Sequence, residues 1–345
     1  MDQETARILQ LRTETKETGS GGTGDSSTES DRSDDTEGLE APTEDEAEAL
    51  SPFINGTNIQ YAWDSTSLES LKRCPRLYYY NMILGYRSKK ENVHLRFGSE
   101  AHQAFQEYEI LKAGGMDHEE ASFHVVKGLL QRTDDWRPDH KHKNRPFLIR
   151  TVVWYLEKFK DDPATTYILD NGKPAVELSF NFELDWGPPY LLCGHIDRVV
   201  TYQDELFSTD VKTTTYSPTD SYWNQFEPNN QMSLYTLAGQ IILNLTIKGI
   251  IITSAQIMIE GTRFSRHITY RTKDQLDEWL RDLKLWTKKA VEYAEEEYWP
   301  MNDTACDKYG GCAYRGICSK SPSVRQRFLD SEFERGEIWN PLKVR

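Results

Sequence analysis

The chain has 345 residues and a net charge of −14, enough length for one large domain or two ordinary ones. The acidity is concentrated: residues 1–50 hold 15 acids and 4 bases, while the remaining 295 residues hold 40 acids and 37 bases. That balance argues against strong nonspecific attraction to nucleic acid, yet the near-neutral remainder leaves room for a local basic groove. No run of eighteen apolar residues occurs, which excludes a membrane-spanning helix, and the N-terminal stretch lacks the apolar centre of a signal peptide. The expected setting is cytoplasmic, where thiols stay reduced, so the five cysteines are not expected as disulfides.

Residues 1–55 read as a disordered acidic tail, because too few large apolar side chains are present to offset the entropy of ordering. The folded chain is expected over 61–320, followed by a C-terminal tail at 321–345. Thr66, with Glu69 three residues on, predicts a capped helix through SLESLKRCPRLYYYNMI, broken after Cys74 by Pro75. Ser99 is expected to cap a helix to about Lys112 that carries His102. Residues 117–133 and 146–160 have apolar residues at helical spacing. Between them Arg137–Arg145, with Lys141, Lys143 and Arg145, reads as a solvated basic loop that could touch phosphate.

Ala175–Leu184 alternates Val176, Leu178, Phe180, Phe182 and Leu184 with polar residues, the pattern of a half-buried strand. Trp186-Gly187-Pro188-Pro189 is a turn. Tyr190–Thr215 then reads as a hairpin: Leu191 to Val200 in one strand, Gln203-Asp204-Glu205 at the turn, and Leu206, Phe207 and Val211 in the second. Asp197 and Asp210 lie on its two strands, and Asp210 and Lys212, two apart, project from one face. With Asp197 on that face, two carboxylates need a cation between them, and oxygen ligands suit Mg²⁺ or Mn²⁺. Asn229-Asn230 lead into a helix on which Gln231 and Tyr235 share a face. Residues 248–260 and 263–270 read as a second hairpin and 272–299 as a long amphipathic helix. The alternation predicts an α/β fold, with helices around a mixed central sheet.

Cys306, Cys312 and Cys318 are spaced C-x₅-C-x₅-C among Gly310, Gly311 and Gly316, glycines that permit tight turns around a small object. Three thiols are one short of a tetrahedral set, and Cys74 supplies a fourth from upstream. Cys193, inside the first hairpin strand, reads as packing.

Gly194-His195-Ile196-Asp197 followed by Asp210-Val211-Lys212 resembles the PD-(D/E)XK nuclease superfamily, most closely its RecB-like exonuclease branch; Ile196 stands where the superfamily's name has proline. Ser67, Leu71, Cys74, Pro75, Arg76, Tyr78 and Tyr79 resemble the first helix of iron–sulfur members of that branch. Gly98-x₃-His102 resembles its histidine motif, and Gln231-x₃-Tyr235 its helix beside the DNA. The resemblance spans about Trp63 to Lys320. It implies a restriction-endonuclease-like core and a metal-dependent DNA exonuclease of recombination, repair or end processing, acting on single strands or free ends. In that reading His102, Asp197, Asp210 and the Val211 carbonyl hold Mg²⁺ or Mn²⁺. Asp197, Asp210 and Lys212 are catalytic, and Lys212 handles the attacking water. Gln231 and Tyr235 place the DNA, and Glu177 matches an acid on the preceding strand.

One upstream cysteine with three C-terminal ones resembles the [4Fe–4S] arrangement of AddB-type nucleases and CRISPR adaptation nucleases, which would make residues 300–320 an iron–sulfur segment. The usual C-x₂-C pair is absent, and Zn²⁺ is the competing metal for Cys74, Cys306, Cys312 and Cys318. A reading of another class is a catalytically silent DNA- or partner-binding module of the same fold; the intact Asp197, Asp210 and Lys212 argue against it. The sequence names no protein partner.

Overall fold

Ala62–Trp63 forms the short strand β1, and helix α1 follows at Ser65–Arg73 in a computed structural model that describes residues 51–308 and 311–343. The expected acidic tail lies outside the described residues except for its last five. There Phe53 bridges to Gln60 and joins the main core, so the ordered chain starts ahead of the expected boundary at 55. Asp64, not Thr66, caps α1: its carboxylate accepts from the Ser67 amide at 2.8 Å, and Ser67 Oγ accepts from the Asp64 amide. Aspartate caps at least as well as threonine, and the earlier start buries Leu68 and Leu71.

The break at Cys74 is as expected. Helix α2, Pro75–Tyr78, runs into a π turn at Tyr79–Ile83 and strand β2, Tyr86–Ser88. Helix α3, Val93–Ala113, begins six residues before Ser99, because Asn92 accepts from the His94 and Leu95 amides and takes the cap. Gly98 sits inside it, at a cost of only about 1 kcal/mol relative to alanine. Helices α4, His118–Arg132, and α5, Arg145–Lys158, pack with α3 around Phe97, Phe105, Leu129, Leu148 and Tyr155.

Strands β3 (Thr165–Thr166), β4 (Val176–Glu183), β5 (Leu191–Tyr202) and β6 (Glu205–Thr214) come next. The β5–β6 hairpin turns on Gln203 and Asp204, at φ of 53° and 60°, the handedness that fits a two-residue turn to strand twist. Helices α6 (Asp220–Trp223) and α7 (Asn230–Leu243) lead to strands β7 (Ile247–Ile257) and β8 (Thr262–Thr269) and to helix α8 (Lys273–Glu295). The sheet runs β1-β5-β6-β7-β8, with β3 and β4 also paired to β5. It is mixed: β1 is parallel to β5 and β6 to β7, and the other pairs are antiparallel. Strand β7 is buried except at Lys248, as a strand covered on both faces must be. Helices α3–α5 form one layer; α1, α7 and α8 contribute to the core on the other. No described helix is long and apolar enough to cross a membrane.

The chain after 320, expected as a partly ordered tail, docks back as an arm. After helix α9 (Arg315–Cys318), helix α10 (Pro322–Glu332) and strand β9 (Phe333–Arg335) follow. β9 pairs antiparallel with β2, Tyr314 and Phe333 pack with Tyr80 and Tyr86, and Trp339 Nε1 donates to Asp64 Oδ2 at 3.1 Å. The sequence showed the apolar residues but not where they dock.

Candidate active site

One edge of β5 makes the site. β1 pairs with Leu191 and Leu192, and β6 pairs from Arg198 onward. The residues between have no strand partner on that edge among the described residues. Continuing the Arg198–Thr209 register would set Asp197 directly against Asp210, and like charges so placed repel. The strands part there and leave a fork. On the other edge Glu177 stands level with Asp197, between the Val176–Arg198 and Leu178–Ile196 pairs. Its φ is +52°, a left-handed backbone uncommon outside glycine.

Side chains from both helical layers close the fork. From α3, His102 Nε2 lies 2.8 Å from Asp197 Oδ2. On β6, Lys212 Nζ lies 2.7 Å from Asp210 Oδ2 and donates to Gln231 Oε1 of α7 at 2.8 Å. Gln231 Nε2 donates to the Tyr235 hydroxyl at 2.9 Å, which in turn reaches Asp197 Oδ1 at 3.4 Å. A cavity of about 20 Å³ lies here, lined by His102, Asp197, Asp210 and Val211 among others, room for one water or small ion. Ligating atoms of His102, Asp197 and Asp210 all lie within 4.8 Å of one another.

The charges in this fork are unequal. Asp210 is 2% exposed, and burial, with Asp197 adding to it and Lys212 opposing, pushes its carboxyl up to about 6. Burial acts the same way on Asp197, but His102 and Lys212 outweigh it and leave that carboxyl lowered. Burial pulls His102 down, and Asp197, with Asp210 and Glu177 behind it, raises it on balance. Asp210 Oδ2 is buried with the Lys212 ammonium 2.7 Å away as its counter-ion. Two carboxylates brought together in a buried fork repel each other, and a hard cation between them would balance their charge. The donor set therefore fits Mg²⁺ or Mn²⁺.

The sequence overlooked Gln106. It stands one helical turn after His102, the spacing that makes two side chains neighbours. Its Nε2 lies 2.7 Å from His102 Nδ1 and also donates to Glu177, so it fixes the ring from behind.

The four cysteines of the sequence analysis are free thiols. Cys74 accepts from the Asn302 amide at 3.3 Å, Cys306 Sγ lies 3.9 Å from the Asn302 carbonyl, and the Cys312 amide donates to the Cys306 carbonyl at 2.8 Å. Burial raises the Cys306 thiol, and Cys312 and Cys74 push the same way. Burial also raises Cys318; Arg76 opposes it, and Cys312 and Cys74 add to it. No three of these sulfurs lie within 4.8 Å of one another. Cys193 is buried in β5, 1% exposed, away from this group.

A family model for the PD-(D/E)XK nuclease superfamily matches residues 63–319. The chain belongs to that superfamily. Its mixed sheet between helical layers is the fold expected of such a nuclease, and nucleic acid is the substrate class the family implies. The chain is similar to a crystal structure from Eubacterium rectale named as a candidate exonuclease, at 12% identity and a TM-score of 0.47, covering 84% of this chain and 98% of that one. It is also similar to the crystal structure of SSO0001, at 12% identity and a TM-score of 0.30, covering 75% of this chain and 87% of that one. No curated protein matches it.

Proposed function

We propose that this superfamily member is a metal-dependent DNA exonuclease of the RecB-like branch, working in the cytoplasm on single strands or free ends in recombination, repair or end processing. The observation that carries the reading is the fork: Asp197 and Asp210 face one small cavity, with Lys212 paired to Asp210. His102, Asp197, Asp210 and the Val211 carbonyl would hold Mg²⁺ or Mn²⁺, which when bound neutralises charge at the scissile phosphate and makes the attacking water more acidic. Lys212, oriented by Gln231, holds that water in line and offsets charge that develops on the phosphate. Gln231 and Tyr235 place the strand from α7. Gln106 keeps the His102 ring turned to the cavity; with a metal on Nε2, the Nδ1–H would be donated to the Gln106 amide oxygen.

Residues 61–320 are read as the nuclease unit, with Cys74, Cys306, Cys312 and Cys318 as ligands of a [4Fe–4S] cluster in segment 300–320. The Cys306 and Cys318 thiols, each raised in part by Cys312 and Cys74, support it.

The test is digestion of end-labelled linear single- and double-stranded DNA, with covalently closed circles as controls, in Mg²⁺ or Mn²⁺. Linear strands are expected to shorten from an end while circles survive. Cleaved circles would make the protein an endonuclease, and uncut DNA of every kind would remove the activity.

A further inference from the structure

Three cationic side chains are buried among the described residues: Arg76, Lys143 and Arg198. Arg198 is neutralised by Glu109. Arg76 donates to the Trp299 carbonyl, stacks on Tyr80 and Tyr298 and lies beside the Cys318 thiol. Lys143 has neither a carboxylate nor a thiol. Its Nζ donates to Thr213 Oγ1 at 3.0 Å and to the Thr213 carbonyl at 3.3 Å, and it lies 5.1 Å from the centre of the Phe97 ring. Burial with nothing set against it pushes the ammonium down to about 8. A buried cation without an anion is an expensive arrangement unless a ligand brings the anion.

Other donors surround this ammonium. His140 Nδ1 accepts from the Lys143 amide at 2.8 Å, so the neutral ring carries its proton on Nε2, for which no hydrogen-bond partner occurs among the described residues. His94 lies against His140, with ring centres 4.9 Å apart. The Thr213 hydroxyl accepts from Lys143, which leaves its own proton to give. Among the described residues, no ion pair joins a carboxylate to this cluster.

Its position ties it to the fork. His94, Gly98 and His102 are four residues apart on α3 and share a face. His102 meets Asp197, Gly98 faces Thr213, and His94 meets His140. Thr213 follows Lys212 on β6, about 10 Å along the strand from Asp210, and its side chain turns to the α3 side, opposite to Asp210 and Lys212. We propose that Lys143, with His94, His140 and Thr213, binds a phosphate of the nucleic acid a short step along the strand from the bond to be cut. The ligand is a phosphate group, either an internal phosphodiester or the monoester at a strand end. This rests on the nuclease reading above and adds a second anchor that sets where the strand lies.

The test uses the full chain in EDTA, so that binding is read without cleavage. Probes are labelled single strands ending in a 5′-phosphate or a 5′-hydroxyl, and strands with one neutral methylphosphonate linkage at successive positions. Lys143→Met keeps the stem and removes the charge. It is expected to weaken binding about five- to tenfold and to lower the slope of log affinity against log salt by about 1, while the melting temperature holds or rises. One probe modification should weaken binding of the unaltered protein and not of the variant. If that modification is the missing end phosphate, the site reads a terminus; if it is a neutral linkage, the site reads the backbone. The exposed His94→Ala, which leaves the buried packing in place, should blunt the same preference. Affinity and salt slope unchanged in folded Lys143→Met overturn the site. So does a loss of affinity that comes with a fall in melting temperature, since Lys143 is then only structural. If the unaltered protein binds no strand, the nuclease reading fails first; if it binds and Lys143→Met binds alike, only this inference fails.

Discussion

Burial holds the Asp210 carboxyl near 6 against an ordinary 3.8, so the folded protein binds a proton there more readily than the unfolded chain. The neutral form favours folding below about pH 4, and that advantage is lost as pH rises to about 6, by at most about 3 kcal/mol. Asp197, whose carboxyl is lowered, contributes in the opposite sense and recovers part of it. Asp210→Asn is therefore expected to stabilise the metal-free protein at pH 8 by about 1–2 kcal/mol, and to give no gain at pH 4. Thermal melts in EDTA at the two pH values measure this, and added Mn²⁺ should raise the melting temperature of the unaltered protein far more than that of the variant. The same substitution, like Asp197→Ala and Lys212→Ala, should reduce cleavage by about a hundred- to a thousandfold. Full single-turnover activity in purified Asp210→Ala would move the chemistry elsewhere.

Among the elements, the hairpin at β5 and β6 was legible because period-2 patterning and turn residues agree, and α4, α5 and α8 because their apolar stripes are long. Two starts were misplaced, at Thr66 and Ser99, since a better cap lay upstream in each case and caps compete locally. The fork itself was not legible. It arises from where β1 stops and β6 begins to pair, which is long-range register and not local pattern. The same holds for the left-handed Glu177 and for Gln106, whose role depends on a strand distant in sequence. Gln106→Leu tests the α3 end of the site. Loss of the ring's partner is expected to weaken Mn²⁺ affinity about 10–100-fold and to spare most of the rate at saturating metal. A variant with unchanged metal titration would make Gln106 a bystander.

For the molecule as a whole, the proposed cluster would tie the start of the domain to its end. Ser at Cys74, Cys306, Cys312 or Cys318 is expected to remove iron, lower the melting temperature and expose the C-terminal segment to protease, because a metal link across a long loop is coupled to folding. Cys193→Ser should show only a mild packing loss. Iron and sulfide assays on anaerobic protein, beside zinc analysis, read the outcome, and stoichiometric zinc without iron would replace the cluster with Zn²⁺. The N-terminal residues 1–50 carry a balance of −11 from 15 acids and 4 bases and few large apolar groups. Their deletion is expected to leave the melting temperature within a degree or two of the full chain, about the scatter of surface changes, and to raise DNA affinity modestly at low salt. A large fall in melting temperature would show that they belong to the fold.

The pairing of β2 with β9 joins positions 249 residues apart, which has a meaning in time as well as in space. A nascent chain leaves the ribosome at about 5–20 residues per second, so β2 waits about 10–50 s for its partner strand. Tyr235, the last side chain of the fork in sequence, has emerged well before then. The proposed centre also needs β7, which pairs along β6 and emerges after Tyr235, and the β2–β9 brace can close only later still. During synthesis, translation rate sets the earliest moment at which this brace can close.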